Sequence, residues 1–362
     1  MGASFSQSDA SCACVLDTPL KVQVRLRVGS VSPLVDVPLQ LAAALSRFGA
    51  LGVKLHWVRC CADANAAMAM LAAGLLDVAL MPTEDAVLYA ARGSSARICG
   101  TLVKTSRAWG LYRSTKRGAP PAMRDGGIVF GLPEELGART AVELLGMRLG
   151  IQQLLCRFCS TPKLANEQML AEHVHFTVWE TWMSRHLVEI GEWQLLREML
   201  LPWPSTMFVA AREALHNKAG ALRSFVEYSG ALCAEFACDP ATAARCISAS
   251  SGLSVEGALA WLRETTWACS CEVSEAGLAL PLQCLQRLGA LPAGRCLEPS
   301  KLLAGGICRL EPTTDPAGGR ADPPESPTSR ALVEPEGLPF GIPPAGEVEW
   351  GSEEGQKLAM RL

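Results

Sequence analysis

Short apolar strands alternate with helices along the first hundred residues, and this rhythm limits the chain to a small set of layered folds. Residues 22–28 alternate apolar and polar side chains and read as a half-buried strand. A loop containing Pro33 and a helix over 38–48, ended by Gly49 and Gly52, lead to a second strand over 54–59. Asp63 is placed to cap a helix over 64–73 that stops at Gly74. A buried strand over 78–81 follows, then a helix for which Thr83 is the expected cap, ended by Gly93, and a fourth strand over 97–103. Strands separated by helices of about ten residues build a parallel sheet.

The rhythm then repeats. Strands are expected over 128–130, 154–158 and 174–178, with helices over 136–149, 162–172 and 181–190. Pro162 takes the first-turn position that proline favours, behind Thr161 as cap. From Arg212 onward strands are expected to stop, and helices fill 218–238, 240–250, 254–265 and 275–288. Two α/β units and a helical return predict two lobes with a crevice between them. Ligands of open α/β sheets bind beyond the carboxyl ends of the strands. The loops at 29–36, 82–85 and 131–137 are therefore expected to face the crevice.

Bulk properties remove several alternatives. Apolar residues make up 49% of 362 and charged residues 19%, ample for a buried core, while the net charge of −3 lacks the basic excess of a nucleic-acid binder. The best apolar run, Ala66 to Met81, is interrupted by Asp77 and is too short to span a bilayer. The first twenty residues carry Asp9 and Asp17 and no Lys or Arg, so no export signal is expected there. The fifteen cysteines are then expected to be free and mostly buried. Residues 1–20 read as a flexible arm, and the Pro-, Gly- and acid-rich chain beyond lobe one as a mostly disordered tail over 291–362. Met1-Gly2-Ala3-Ser4-Phe5-Ser6 fits the myristoylation pattern at Gly2, with Cys12 and Cys14 as candidate palmitoylation sites that supply the second anchor one acyl chain needs. The expected location is cytoplasmic, with an N-terminal membrane anchor through these acyl groups as the associated expectation.

Three segments carry a family likeness: Gly74-Leu-Leu-Asp77-Val-Ala-Leu-Met-Pro-Thr83-Glu84; Arg97-Ile-Cys-Gly-Thr-Leu-Val-Lys104 leading to Trp109-Gly-Leu-Tyr; and Val178-Trp-Glu180-Thr-Trp182 with Pro202-Trp203-Pro204 before Phe208-Val-Ala-Ala. With Arg27-Val-Gly-Ser, they resemble type II periplasmic-binding-protein-like proteins, in the branch of the thiamine-pyrimidine precursor proteins and the nitrate, sulfonate and taurine binding proteins. The resemblance implies an α/β, two-lobed fold with a helical C-terminal return. Lobe one would hold 21–105 plus 207–290, lobe two 106–206, with chain crossings near Trp109 and Trp203.

A closing crevice needs polar groups on both walls and a flat apolar surface. Ser32 follows the first strand, and Thr83 and Glu84 stand at a helix N-terminus. Trp109 and Trp203 could stack on a planar ring, and Glu180 follows a strand of lobe two. Each also has a plain structural role: turn chemistry for Ser32, capping for Thr83 and Glu180, a favourable first-turn acid for Glu84, hinge packing for the tryptophans. The turn Gly131-Leu-Pro-Glu-Glu-Leu-Gly137 carries acids where family members place hydroxyls, which disfavours a small oxyanion.

The expected function is a non-enzymatic solute-binding protein, a monomer that takes a small polar or heterocyclic metabolite. An enzyme of thiamine-pyrimidine precursor synthesis on the same fold and a degenerate interaction module are the alternatives. The cysteine-rich run of the pyrimidine synthases is missing. Cys156-x-x-Cys159 with His173-x-His175 lacks zinc spacing, so no metal and no cofactor are expected.

Overall fold

A computed structural model describes residues 23–32, 34–58, 63–116, 128–149, 154–293 and 297–311. Gly2, Cys12, Cys14 and the chain beyond Glu311 lie outside the described residues. The chain begins β1 (Val24–Ser30), α1 (Val37–Ala44), β2 (Val53–Val58), α2 (Ala64–Ala72), β3 (Val78–Pro82), α3 (Thr83–Ala91) and β4 (Arg97–Val103). It crosses into β5 (Ala108–Ser114), β6 (Val129–Leu132), α4 (Leu136–Leu149), β7 (Leu155–Phe158), α5 (Pro162–Leu170), β8 (Phe176–Glu180), α6 (Thr181–Glu189) and β9 (Trp193–Leu200). It returns through β10 (Thr206–Ala210), α7 (Arg212–Asn217), α8 (Ala219–Ala237), α9 (Pro240–Ser251), α10 (Val255–Glu264), β11 (Trp267–Ser270), β12 (Glu272–Ser274), α11 (Glu275–Arg287) and β13 (Arg309–Glu311).

Two main sheets result. One has the order β11-β4-β10-β3-β1-β2, the other β7-β6-β8-β5-β9. The same plan underlies both. Three parallel strands lie in the order second, first, third, and beside the third runs the strand that has just crossed from the other half. That strand is β10 in the first sheet and β5 in the second, and each is antiparallel to its neighbours. Each sheet thus closes around a strand supplied by the crossing; lobe one is assembled from two separated stretches of sequence, before β5 and after β9, whereas lobe two is the single stretch from β5 to β9. Hereafter lobe one is the first sheet with its helices and lobe two the second.

Hydrophobic burial is divided accordingly. The larger cluster wraps the first sheet, with Leu26, Val28, Leu80, Ile98, Phe208 and Phe225 inaccessible to solvent. Lobe two has two smaller ones, around Phe130, Val178 and Trp109, and around Tyr112 and Trp193. Helix α11 spans the lobes: Cys284 belongs to the Trp109 cluster, and Arg287 Nε donates to Glu143 of α4 at 2.6 Å. At the opposite end of the first sheet, Asp77 is pinned by Arg27 at 2.8 Å and Lys218 at 3.0 Å. Its carboxylate, 4% exposed, ties β1 and β3 to the start of α8.

Several expectations need correction. Thr83 does not cap α3: it is the first helical residue, Pro82 holds the cap position, and the helix start has no side-chain cap. Strands do not stop at Arg212. β11 extends the first sheet, and β12 pairs with β13 in parallel. The packed chain also runs past 290, since Leu302, Leu303, Ala304 and Ile307 are buried in the core of lobe one. Cys156 is exposed whereas Cys159 is buried, and His175 Nδ1 accepts the Val129 N–H at 2.8 Å. Among the described residues no group of three or more His, Cys, Asp or Glu could hold a metal ion, and no helix is long and apolar enough to cross a membrane.

Candidate functional site

The two crossing segments run side by side and place the site residues. Ser205 N–H donates to the carbonyls of Val103 and Thr105, at 3.1 and 3.2 Å, and Leu201 N–H to that of Arg107 at 3.0 Å. The register of β3 against β10 pairs Pro82 with Thr206. This brings the start of α3 against the second crossing. Thr83 N–H donates to the Ser205 carbonyl at 3.2 Å, and the Thr83 hydroxyl donates to the Pro204 carbonyl. The hydroxyl proton of Thr83 is thus used by the hinge.

Glu84, the next residue, points into the interface and is fully buried. Its Oε2 accepts the Trp203 indole N–H at 3.2 Å. Its Oε1 has no hydrogen-bond partner and faces the Arg107 guanidinium at 3.7 Å. Arg107 lies in the first crossing and also meets two carboxylates of lobe two, donating to Glu180 at 2.8 Å and Glu135 at 2.9 Å. Glu180 reaches this point because β8 pairs with β5, setting it opposite Trp109. The guanidinium lies over the Trp109 ring, 4.9 Å from its centre. Trp109 is inaccessible to solvent, and its Nε1–H has no acceptor.

The lobes meet here at close range. A Cβ on Gly137, in the first turn of α4, would lie 2.5 Å from Glu84 Oε1 and 2.7 Å from Trp109 Cζ2. Only glycine lets the lobe-two helix approach the lobe-one carboxylate this closely. The crevice is shut, and Arg107 fills the space between its walls.

The electrostatics follow from that closure. Burial drives the Glu84 carboxyl above the usual carboxylate range, and the Arg107 charge only partly offsets it. Asp85, half-buried beside it, is pushed up to about 8, first by burial and then by the Glu84 charge. For Arg107, burial opposes the charged form, yet Glu180, Glu135 and Glu84 outweigh it and hold the guanidinium above its ordinary range. One cation thus serves three carboxylates, with a fourth acid adjacent.

Of the residues expected from sequence, Thr83, Glu84, Trp109, Glu180 and Trp203 converge on this point. Ser32 does not join them. It is half-buried in a turn after β1, where its N–H donates to Ser30 Oγ at 3.2 Å, and no hydrogen bond among the described residues ties it to the network. Two participants were missed, Arg107 and Glu135. A second acid not singled out by the sequence is Asp36, in the loop after β1 and outside this network. It is almost fully buried, has no partner for Oδ1, and is pushed up to about 6 by that burial.

No family model and no curated protein sequence matches this chain. Solved structures do. A Candida albicans gene product, described as defining a new family with the generic periplasmic binding protein fold, superposes with a TM-score of 0.64 at 17% identity. That match covers 74% of this chain and 91% of the other. The fold is that of the periplasmic binding proteins. The aliphatic sulphonate binding protein of Escherichia coli matches with a TM-score of 0.63 and 13% identity, over 88% of this chain and 96% of its own. The alkanesulfonate-binding protein of Xanthomonas axonopodis pv. citri, bound to MOPS, matches with a TM-score of 0.61 and 14% identity, over 79% and 98%. The doubled strand order and the paired crossings described above are thus features of a periplasmic-binding-protein fold.

Proposed function

We propose that this protein is a non-enzymatic binder that closes its two lobes on a small polar or heterocyclic molecule held at the Glu84–Trp109–Glu180 crevice. The observation that carries this reading is unused polar capacity in a closed interior. Glu84 Oε1 and Trp109 Nε1–H are both buried, and both lack a hydrogen-bond partner. A buried polar group without a partner costs about 1–3 kcal/mol. A chain that keeps an acceptor and a donor in this condition, on two walls of one crevice, has groups suited to a guest.

The similar sulfonate-binding proteins take an anionic ligand. In this chain Glu84, Asp85, Glu135 and Glu180 stand against Arg107, so the walls favour a guest that donates hydrogen bonds. The degenerate-module reading has one observation in its favour, that Arg107 already satisfies Glu135 and Glu180.

A thermal-shift screen across pyrimidines, amines, amino acids and sulfonates tests the binder. Selective binding to the folded state at about one hundred times Kd adds about 2.7 kcal/mol, enough to raise Tm by several degrees. The shift is expected to disappear in Glu84→Ala and Trp109→Ala while both remain folded. A shift that survives both substitutions moves the site elsewhere, and a flat response to every class favours the interaction module.

A further inference from the structure

The Arg107 side chain is arranged as a guest would be. Its guanidinium meets a carboxylate from lobe one, Glu84, and two from lobe two, Glu135 and Glu180, and lies over the Trp109 ring. A planar cation between carboxylates and an aromatic face is a recognised mode of cation capture. The side chain is 15% exposed, so the charge has left bulk water and depends on these partners. Two further observations show that the cage does not fit Arg107 completely. Glu84 Oε1 sits 3.7 Å from the guanidinium and makes no hydrogen bond with it, although no solvent reaches this carboxylate. Trp109 Nε1–H points to no acceptor at all. The cage is therefore built for a planar cation, and its tethered occupant leaves one acceptor and one donor unused.

Resting on the crevice-binder reading above, we infer that the ligand class is a small planar cation of the guanidinium or amidinium type, carrying an acceptor for Trp109, and that Arg107 is a tethered competitor holding its place. The position of Arg107 suits the second role. It lies in the crossing between β4 and β5, where its carbonyl is fixed by Leu201 N–H, so its side chain can swing out while the backbone stays in place. A tethered side chain competes at an effective concentration in the millimolar range or above, which lowers the apparent affinity for a free cation. The closed form is then held together by the same contacts that the ligand would make.

The test is chemical rescue, read by thermal unfolding with three probes: methylguanidinium, its uncharged counterpart N-methylurea, and methanesulfonate. Arg107→Ala is expected to lose stability and to regain it with methylguanidinium, saturably, at a midpoint about tenfold or more below any response of the wild-type protein. N-methylurea and methanesulfonate are expected to give no saturable rise. Adding Glu84→Gln and Glu180→Gln to Arg107→Ala is expected to abolish the rescue. If Arg107→Ala does not fold, Arg107→Met, which keeps an apolar stem over Trp109, carries the same measurement. A saturable response to methanesulfonate or N-methylurea would overturn the cation assignment and leave the binder reading standing. Folded variants that respond to no probe would overturn it too, and the metabolite screen then decides the binder reading separately. Failure of both variants to fold would make Arg107 part of the scaffold and end the proposal.

Discussion

Gly137→Ala probes the closed state without touching a charge. The new methyl carbon would fall 2.5 Å from Glu84 Oε1, 2.7 Å from Trp109 Cζ2 and 3.3 Å from the Arg107 guanidinium. Ordinary contact begins about 1 Å farther out, and both Glu84 and Trp109 are fully buried, with little room to retreat. Overpacking of this kind costs about 1–3 kcal/mol. Alanine would recover up to about 1 kcal/mol of helix propensity in α4. With distances this short the clash sits at the upper end of its range, so the net penalty on the closed form against the unfolded chain is about 2 kcal/mol. Helix α4 is formed whether the lobes are open or closed, so the propensity gain cancels between the two, and the clash of about 3 kcal/mol alone shifts the closed-to-open ratio, by roughly 150-fold. Small-angle scattering is expected to report a larger radius of gyration, and unfolding a lower Tm. Gly220→Ala is the control: it is also in the first turn of a helix, and its methyl would meet nothing within 4 Å. That change is expected to leave the radius unchanged and to hold or raise Tm. If Gly137→Ala behaves like Gly220→Ala, the Glu84–Gly137 contact does not hold the lobes together, and the closed crevice is not a closure in the mechanical sense.

Three further outcomes follow from the same geometry. Asp85 is pushed up to about 8 from 3.8, so it weighs against the fold progressively as pH rises from about 4 through 8. Asp85→Asn is expected to lie within about 1 kcal/mol of the wild type near pH 4 and to exceed it by several kcal/mol, about 4 or more, near pH 9, by urea unfolding at both values; equal differences at both would refute the cause. Asp77 is held below the usual carboxylate range by Arg27 and Lys218 despite the opposing effect of burial, so its contribution is present above its unfolded pKa and is lost as pH falls through the folded value. Asp77→Asn leaves two cations against a carboxamide, and a loss of about 2–4 kcal/mol at pH 7 is expected, shrinking in acid. Trp203→Phe removes the Glu84 Oε2 partner and is expected to cost about 1–3 kcal/mol in the same unfolding assay at neutral pH, with a smaller loss in acid, since burial raises the Glu84 carboxyl and favours its neutral form.

The alternation of strand and helix was legible because it is local. The helix over 136–149 was located to the residue, and β1 to β4 lie within a few positions of their expected ranges. What escaped was decided by contacts distant in sequence. β9 shows no alternation, since its residues run buried, then exposed, then half-buried, as befits an edge strand whose pairing with β5 shifts register between Leu111 and Tyr112. β11 was hidden for a related reason: Cys269 takes φ of 43°, and its pairing with β4 skips between Trp267 and Ser270. β12 and β13 are too short to carry a period.

The candidate site divides along the same line. Glu84 and Glu180 could be marked because each follows a strand, and a strand end is visible in sequence. Arg107 lies within the crossing, four residues beyond the end of β4 and directly before β5, and starts no helix. Its importance arises because β3, β8 and the turn before α4 deliver Glu84, Glu180 and Glu135 to one point, and because the crossing carries a cation to that point. The acids in the 131–137 turn argued against an oxyanion, and the structure adds their reason: Glu135 already balances a buried positive charge. A carboxylate at a strand end is thus recognisable as a possible wall of a crevice, whereas the group that fills the crevice is visible only after folding has brought the walls together.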